Sequence, residues 1–139
     1  MRTLVTLACT LLLSLSVAAE QKITSGALDI HYIVFNSSFL QPAVAQASGL
    51  ERGKNIAVLN VSPLRDGKGE KSSVSGTLTN LLGQSRTLKF REIDEGEAVY
   101  YIAQFPIDGR EIVKIAVQLT DSEGKQHSLK FNQEVFPDL

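Results

Sequence analysis

Apolar residues recur at every second position along most of this chain. The pattern is clearest in residues 74–107, where three consecutive segments alternate in this way and short polar turns separate them. Alternation with a period of two places successive side chains on opposite faces of a strand, whereas a helix would need spacings of three and four. In the last of these segments both faces are apolar, so we expect that strand to lie in the centre of a sheet.

The same criterion predicts seven strands, each bounded by residues that favour turns. They span residues 27–35, 55–62, 73–81, 85–93, 98–106, 110–120 and 126–135. We expect Pro63 to close the second strand, because proline lacks the N–H that a central strand needs. Short strands at regular intervals are typical of an antiparallel, immunoglobulin-like β-sandwich, and the alternative architecture is an eight-stranded barrel. We see one domain, residues 20–139.

One long segment, residues 36–55, interrupts the succession of strands. Pro42 suits the first turn of a helix and Gly49 suits its end, so the sequence predicts one short helix over residues 42–48. Apolar side chains should pin this helix to one end of the sheet, and the residues spaced for this contact are Phe39, Leu40, Val44 and Leu50.

The first 19 residues have the three parts of a secretory signal peptide. Arg2 precedes an apolar run that is short for a membrane span, and small residues lead to a cleavage site expected after Ala19. Cys9 could mark a lipoprotein instead, but Thr6 stands where the lipidation motif needs an aliphatic residue. We therefore expect an exported protein, free of cysteine and methionine after cleavage, and a bacterial periplasm as its compartment.

The charge balance makes some partners improbable. Without the signal peptide the chain carries 13 basic and 15 acidic residues, a net charge of −2 with neutral histidines. A weakly acidic domain has no electrostatic attraction for nucleic acid. No second stretch reaches the length of a membrane span, so we expect no stable membrane insertion after cleavage.

Candidate catalytic and metal-binding residues are sparse. The chain has no HExxH or GxSxG motif, and its one cysteine lies in the signal peptide. His31 and His127 could bind a metal together with Asp29 if their strands were neighbours, although the simpler interpretation places each on its own strand face. The acidic turn at residues 92–97 lacks the spacing of a calcium loop. We therefore predict no enzyme, no cofactor and no metal site.

The best functional candidate is the segment 36–55, because functional groups concentrate in long connections between strands. The alternative is a helix that only covers the end of the core. We predict a surface there that binds another protein, with Arg52 and Lys54 as a positive edge. Its residues are Phe39, Leu40, Gln41, Arg52 and Lys54. A small-ligand or metal carrier is the second hypothesis, and it would need a pocket lined by Tyr32, Phe39, Tyr100 and Tyr101.

Three parts of the sequence resemble a known family. They are the FNSSFLQP step from Phe35, the NLLGQ turn from Asn80 and the EGEAVYYIAQF strand from Glu95. The chain resembles the bacterial family known as domain of unknown function 4426 (DUF4426) over nearly its whole length after the signal peptide. The resemblance implies an exported β-sandwich without an agreed activity, so it carries over no catalytic residue. We expect a periplasmic accessory module that binds an unidentified protein of the cell envelope; the oligomeric state stays open.

Overall fold

The structure, a computed structural model, describes residues 20–138, which form two antiparallel sheets and one short helix. The strands are β1 (Gln21–Ser25), β2 (Leu28–Asn36), β3 (Ile56–Arg65), β4 (Lys68–Gly69), β5 (Ser73–Thr79), β6 (Ser85–Leu88), β7 (Arg91–Asp94), β8 (Val99–Pro106), β9 (Glu111–Thr120) and β10 (Gln126–Val135). A 3₁₀ turn (Ser37–Phe39) and helix α1 (Pro42–Ser48) lie between β2 and β3. The predicted all-β sandwich is confirmed.

The six-stranded sheet has the order β1-β2-β3-β8-β7, with β4 paired to β3. β8 is central, as predicted, because β3 and β7 pair with its two edges. Its alternate residues Val99, Tyr101, Ala103 and Phe105 are buried against the other sheet. Its opposite face, at Tyr100 and Ile102, is only half-buried, so the outer face of this sheet keeps accessible apolar surface.

The four-stranded sheet has the order β10-β9-β5-β6. Its inward side chains, among them Ile115, Val117 and Leu129, complete one core with those of the six-stranded sheet. The outward side chains of β9 and β10 are mostly polar and exposed. This is the pattern of an antiparallel sheet with one face on the core and one in water.

The predicted strand over residues 85–93 was wrong as a single element. β6 pairs with β5 in one sheet, and β7 pairs with β8 in the other, so the chain changes sheets between Leu88 and Arg91. Leu88 and Phe90 both reach the core. Every second side chain thus continues to point into the core where the polypeptide passes from one sheet to the other. The sequence pattern therefore does not reveal that the strand is divided.

The second predicted strand also ends later than expected, because β3 continues past Pro63 to Arg65. The Pro63 carbonyl accepts the Glu70 N–H at 3.0 Å. The pairing of β3 with β8 ends at Val61, before Pro63. The N–H that proline lacks is therefore not needed for a hydrogen bond to β8. Two short strands, β1 and β4, were not predicted; both are too short for a clear alternation.

Residues 1–19, with the predicted signal peptide and Cys9, lie outside the described residues. Within residues 20–138, no helix is long and apolar enough to span a membrane.

Candidate functional site

Helix α1 has the predicted bounds, and its end is fixed by a side chain from the sheet. Gly49 ends the helix with a φ of 67°, a left-handed conformation that favours glycine. Arg91 of β7 reaches over this glycine and donates to the carbonyls of Ser48 and Gly49, both at 2.8 Å. A Cβ at position 49 would meet the Arg91 guanidinium, so the absence of a side chain at Gly49 also lets Arg91 lie over the helix end.

Three more side chains fix the loop around α1: Gln104 bonds it to the sheet, and Ser37 and Arg52 bond parts of the loop to each other. The buried Ser37 hydroxyl accepts the Gly53 N–H at 2.9 Å and donates to the Gly53 carbonyl at 3.0 Å. The Gln104 side chain of β8 donates to the Glu51 carbonyl at 2.8 Å and accepts the Glu51 N–H at 3.0 Å. Arg52 donates to the carbonyls of Leu40 and Ser38 at 2.6 and 3.1 Å. Polar side chains therefore hold the loop at several points.

Phe39 does not pin the helix, so this expectation was wrong. Its side chain is 76% exposed, because the polar contacts above already fix the loop. Leu40, Val44 and Leu50 do face the sheet, where they form one wall of a groove. Val44 is nevertheless 48% exposed, so the helix presents part of its apolar side to solvent.

The helix-side groove lies between α1 and the outer face of the six-stranded sheet and encloses about 200 Å³. Its lining is mostly apolar: Phe35, Leu40, Val44, Leu50, Val58, Ile93, Tyr100 and Ile102. Asn60, at its floor, has a buried side-chain oxygen that finds no hydrogen-bond partner among the described residues. A buried polar atom without a partner is rare in a native protein. The Asn60 oxygen can therefore accept a hydrogen bond from a water molecule or from a molecule bound in the groove.

A second depression, the corner depression, adjoins the helix-side groove. It encloses about 230 Å³ between the end of β2, the 3₁₀ turn, the end of β10 and the residues that follow it, and Phe35 lines both spaces. Phe39 and Phe136 stand at its edge, and Phe136 is 54% exposed. Together the groove and the depression form one apolar surface, which we call the helix-side surface.

The structure places the other predicted residues of this surface in supporting positions. Gln41 lies directly before α1, and its carbonyl accepts the Ala45 N–H at 3.0 Å. The Lys54 carbonyl accepts the Asp138 N–H at 2.6 Å. Because the Arg52 guanidinium is bonded to backbone carbonyls, it braces the loop as well as contributing positive charge.

The pocket that the ligand-carrier hypothesis requires does not assemble from its four predicted residues. Tyr32 and Tyr101 are buried in the core on inward faces, while Phe39 lies in the corner depression and Tyr100 in the helix-side groove. Burial raises the pKa of Tyr101 to about 12, and its hydroxyl donates to Glu92 at 2.7 Å. The helix-side groove is the cavity that the structure offers in place of that pocket.

His31 and His127 lie in different sheets and have separate partners. His31, on the outer face of β2, contacts Glu20 at 2.9 Å. His127, on the inward face of β10, contacts Ser25 at 2.7 Å and Asp121 at 2.9 Å. Within residues 20–138 no group of three or more His, Cys, Asp or Glu side chains is arranged to hold a metal ion. In the acidic turn, the Gly96 N–H and then Lys71 lower the pKa of Asp94.

A buried polar cluster that sequence reasoning missed joins the two sheets at the other end of the sandwich. Arg65 of β3 donates to Glu70 at 3.1 and 3.2 Å and to Asp121 at 3.2 Å. Glu70 also accepts the backbone N–H of Ser122 at 2.9 Å and, in a shorter contact, its hydroxyl. The Arg65 hydrogen bonds, followed by those of Ser122, lower the pKa of Glu70 to about 2.

Asp121 connects this cluster to the buried His127. Hydrogen bonding from His127, aided by the N–H groups of Lys125 and Glu123, lowers the pKa of Asp121 to about 2. The side chains of Ser25, His127 and Asp121 are hydrogen-bonded one to the next, in the order of a hydrolase triad. The His127 side chain, however, is only 5% exposed. We interpret this series of hydrogen bonds as a structural link between the β1–β2 turn and the β9–β10 turn.

Comparison with known proteins identifies relatives of the chain. The model of the family described as Domain of unknown function (DUF4426) matches residues 20–138. A crystal structure of a DUF4426 family protein from Pseudomonas aeruginosa PAO1 is 43% identical, with a TM-score of 0.80 over 86% of this chain and 97% of that one. No curated protein matches.

Two structures of FetP from uropathogenic Escherichia coli strain F11 share the fold at lower identity. FetP as isolated after recombinant expression in the E. coli periplasm is 17% identical, with a TM-score of 0.55 over 86% of this chain and 95% of that one. A copper-bound FetP variant is 15% identical, with the same TM-score over 86% of this chain and 91% of its own. Likeness at this level of identity concerns the fold alone.

Proposed function

The chain belongs to the DUF4426 family, and from this premise we propose that it is a periplasmic protein-interaction module whose helix-side surface binds a protein of the cell envelope. Binding, and not catalysis, is the activity that we propose. The signal peptide predicted at residues 1–19 supports export to that compartment.

One observation carries the proposal: three apolar side chains of the helix-side surface, those of Phe39, Val44 and Phe136, are exposed where the fold does not need them. Polar contacts from Ser37, Gln104 and Arg91 hold the loop. The side chains of Phe39 and Val44 therefore remain exposed to solvent. Contiguous exposed apolar surface marks interaction sites in monomeric proteins. Burial of one such phenylalanine by a partner would contribute about 1.5–3 kcal/mol.

The size of the helix-side groove favours a side chain of a partner as its occupant. Sites for drug-sized ligands usually enclose about 300–1,000 Å³, whereas this groove encloses about 200 Å³. An engineered cavity of about 150 Å³ takes a benzene ring. The groove therefore suits one large apolar side chain, which is the usual anchor of a protein interface.

The test is site-specific crosslinking in the native compartment. A photo-crosslinking amino acid replaces Val44, at the edge of the groove, and the captured protein is identified by mass spectrometry. The test variant is Phe39→Ser, and the matched control is Leu82→Ser, because Leu82 is an exposed apolar residue (85%) in the β5–β6 turn of the other sheet.

We expect repeated capture of one envelope protein. Phe39→Ser should weaken that capture about thirtyfold, since truncation of an interface anchor costs about 2 kcal/mol or more. Leu82→Ser should leave it unchanged. Equal capture by both variants would contradict the proposal, and so would a captured set no different from that of a crosslinker placed at Thr87 on the other sheet.

A small-ligand carrier is the second candidate, favoured by the apolar lining of the groove and the unpartnered Asn60 oxygen at its floor. Native mass spectrometry of protein purified from the periplasm tests it: a bound molecule should be present, and Val44→Trp, which fills the groove, should remove it.

The copper-bound FetP variant raises the related question of a metal. A Cu²⁺ titration that follows the His31 ring signals answers it, because His31 with Glu20 is the accessible pair.

A further inference from the structure

Two lysines share the outer face of the four-stranded sheet without an acidic partner. Lys114 of β9 is paired with Asn132, and Lys130 of β10 is paired with Ala116, so the two lysines occupy diagonal positions on one face. Both are exposed. No carboxylate of the described residues lies within 4 Å of either ammonium group, whereas Arg65, Lys71 and Arg110 are each paired with one.

The nearest acidic residue on this face is already occupied. Glu134 follows Asn132 on the same side of β10, but its carboxylate accepts a hydrogen bond from Arg110 at 3.2 Å. Like charges directly opposite each other destabilise a sheet, and the long side chains of diagonal lysines are also within reach of each other. An anion between the two ammonium groups would remove this repulsion and gain two charge-assisted hydrogen bonds.

Neutral donors surround the two lysines. The lysine patch is a shallow depression lined by Lys114 and Lys130, by the polar residues Thr77, Thr79 and Asn132, and by the apolar residues Ile115, Ala116 and Phe131. Thr77 is opposite Ala116, and Thr79 is opposite Lys114, on the adjoining strand β5. The Thr79 hydroxyl also shares a hydrogen bond with the Ser85 hydroxyl at 2.8 Å. Hydroxyl and amide groups can donate to an oxyanion and can also accept from hydroxyl groups of a ligand.

The depression is larger than an oxyanion alone. It encloses about 370 Å³, whereas one water occupies about 30 Å³ in the liquid. The space therefore matches a body of roughly a dozen non-hydrogen atoms, the size of one sugar ring with its substituents. Further along the same face Ser128 donates to Gln118 at 3.1 Å, so polar side chains continue beyond the depression.

We propose that the lysine patch binds an acidic sugar, with Lys114 and Lys130 on its carboxylate or phosphate and Thr77, Thr79 and Asn132 on its hydroxyl groups. The patch lies on the outer face of the four-stranded sheet, and the helix-side groove lies on the outer face of the six-stranded sheet. The inference is therefore independent of the proposed protein partner.

The probe for this site is glucuronate, with glucose as the neutral control, followed by ¹⁵N–¹H NMR at about 20 mM salt, where charges are weakly screened. We expect saturable shifts of the Thr77, Lys114 and Lys130 amides with a Kd of about 1–10 mM. Glucose should produce much smaller shifts. Glucose 6-phosphate should bind the same amides, because the oxyanion is the recognised group.

The test variant is the double substitution Lys114→Gln with Lys130→Gln, and the matched control is Lys22→Gln with Lys125→Gln, which removes the same charge elsewhere. The test variant should bind at least about tenfold more weakly, and the control should bind within about twofold of the original protein. The same spectra report whether each variant is folded.

Three results would overturn the proposal. The first is equal shifts with glucose and glucuronate, and the second is equal loss of binding in the test and control variants. The third is sedimentation of the protein with phosphatidylglycerol vesicles while glucuronate shifts no amide, since a lipid surface would then be the ligand.

Discussion

Replacement of Glu70 by glutamine tests the buried polar cluster between the sheets. The carboxylate accepts two hydrogen bonds from Arg65 and two from Ser122. Glutamine keeps the shape but loses the charge, and its amide N–H₂ would face donors of Arg65 or Ser122. Hydrogen bonds to a charged group contribute about 1.5–3 kcal/mol, so we expect Glu70→Gln to lower the free energy of unfolding by about 2–4 kcal/mol at neutral pH.

The same substitution should change the pH dependence of stability. The folded-state pKa of Glu70 is about 2, below its ordinary value of 4.5, because Arg65 and Ser122 stabilise the charged form. The unfolded chain therefore takes up the proton first as the pH falls. The contribution of Glu70 is complete above its ordinary pKa and is lost as the pH falls toward 2. The difference between the original protein and the variant should shrink over this range.

Urea unfolding followed by circular dichroism measures both effects, because urea is uncharged and the chain has no tryptophan for fluorescence. Glu97→Gln is the matched control, since Glu97 is exposed and makes no ion pair among the described residues. The reasoning is refuted if Glu70→Gln destabilises no more than this control, or if its effect is the same near pH 2 as at neutral pH.

Two further substitutions test local features of the fold. Gly76→Ala places a Cβ 2.9 Å from the Ala116 carbonyl oxygen, and we expect urea unfolding to show a loss of about 1–3 kcal/mol; unchanged stability would contradict the packing. Asn80→Ala removes the side-chain oxygen that accepts the N–H groups of Leu82 and Gln84, at 3.0 and 2.9 Å. These two amides should exchange with deuterium faster, while amides of the core keep their rates.

Local patterns predicted the elements that depend on local contacts. Pro42 and Gly49 marked both ends of α1, because a fixed φ favours a helix start and a left-handed residue ends it. Strict alternation identified the buried face of β8, since one face of a strand must meet the core. These signals lie within a few residues of the element that they define.

Distant contacts decided the features that the sequence did not predict. Whether residues 85–93 form one strand or two depends on hydrogen bonds to β5 and β8, and alternation is the same in both cases. The exposure of Phe39 depends on Arg91 and Gln104, which reach the loop across more than 40 positions of sequence. His127 meets Ser25 across 102 positions. No local pattern records such pairs.

The two candidate surfaces can act together because the sandwich separates them. Two packed sheets lie about 10 Å apart, so ligands on their outer faces do not touch. The buried link between Arg65, Glu70 and Asp121 joins the sheets at one end. A protein held at the helix-side surface would leave the lysine patch free for an acidic sugar. If both proposals hold, the sandwich would keep a protein partner and an acidic sugar at a fixed distance, a role that needs no reactive group.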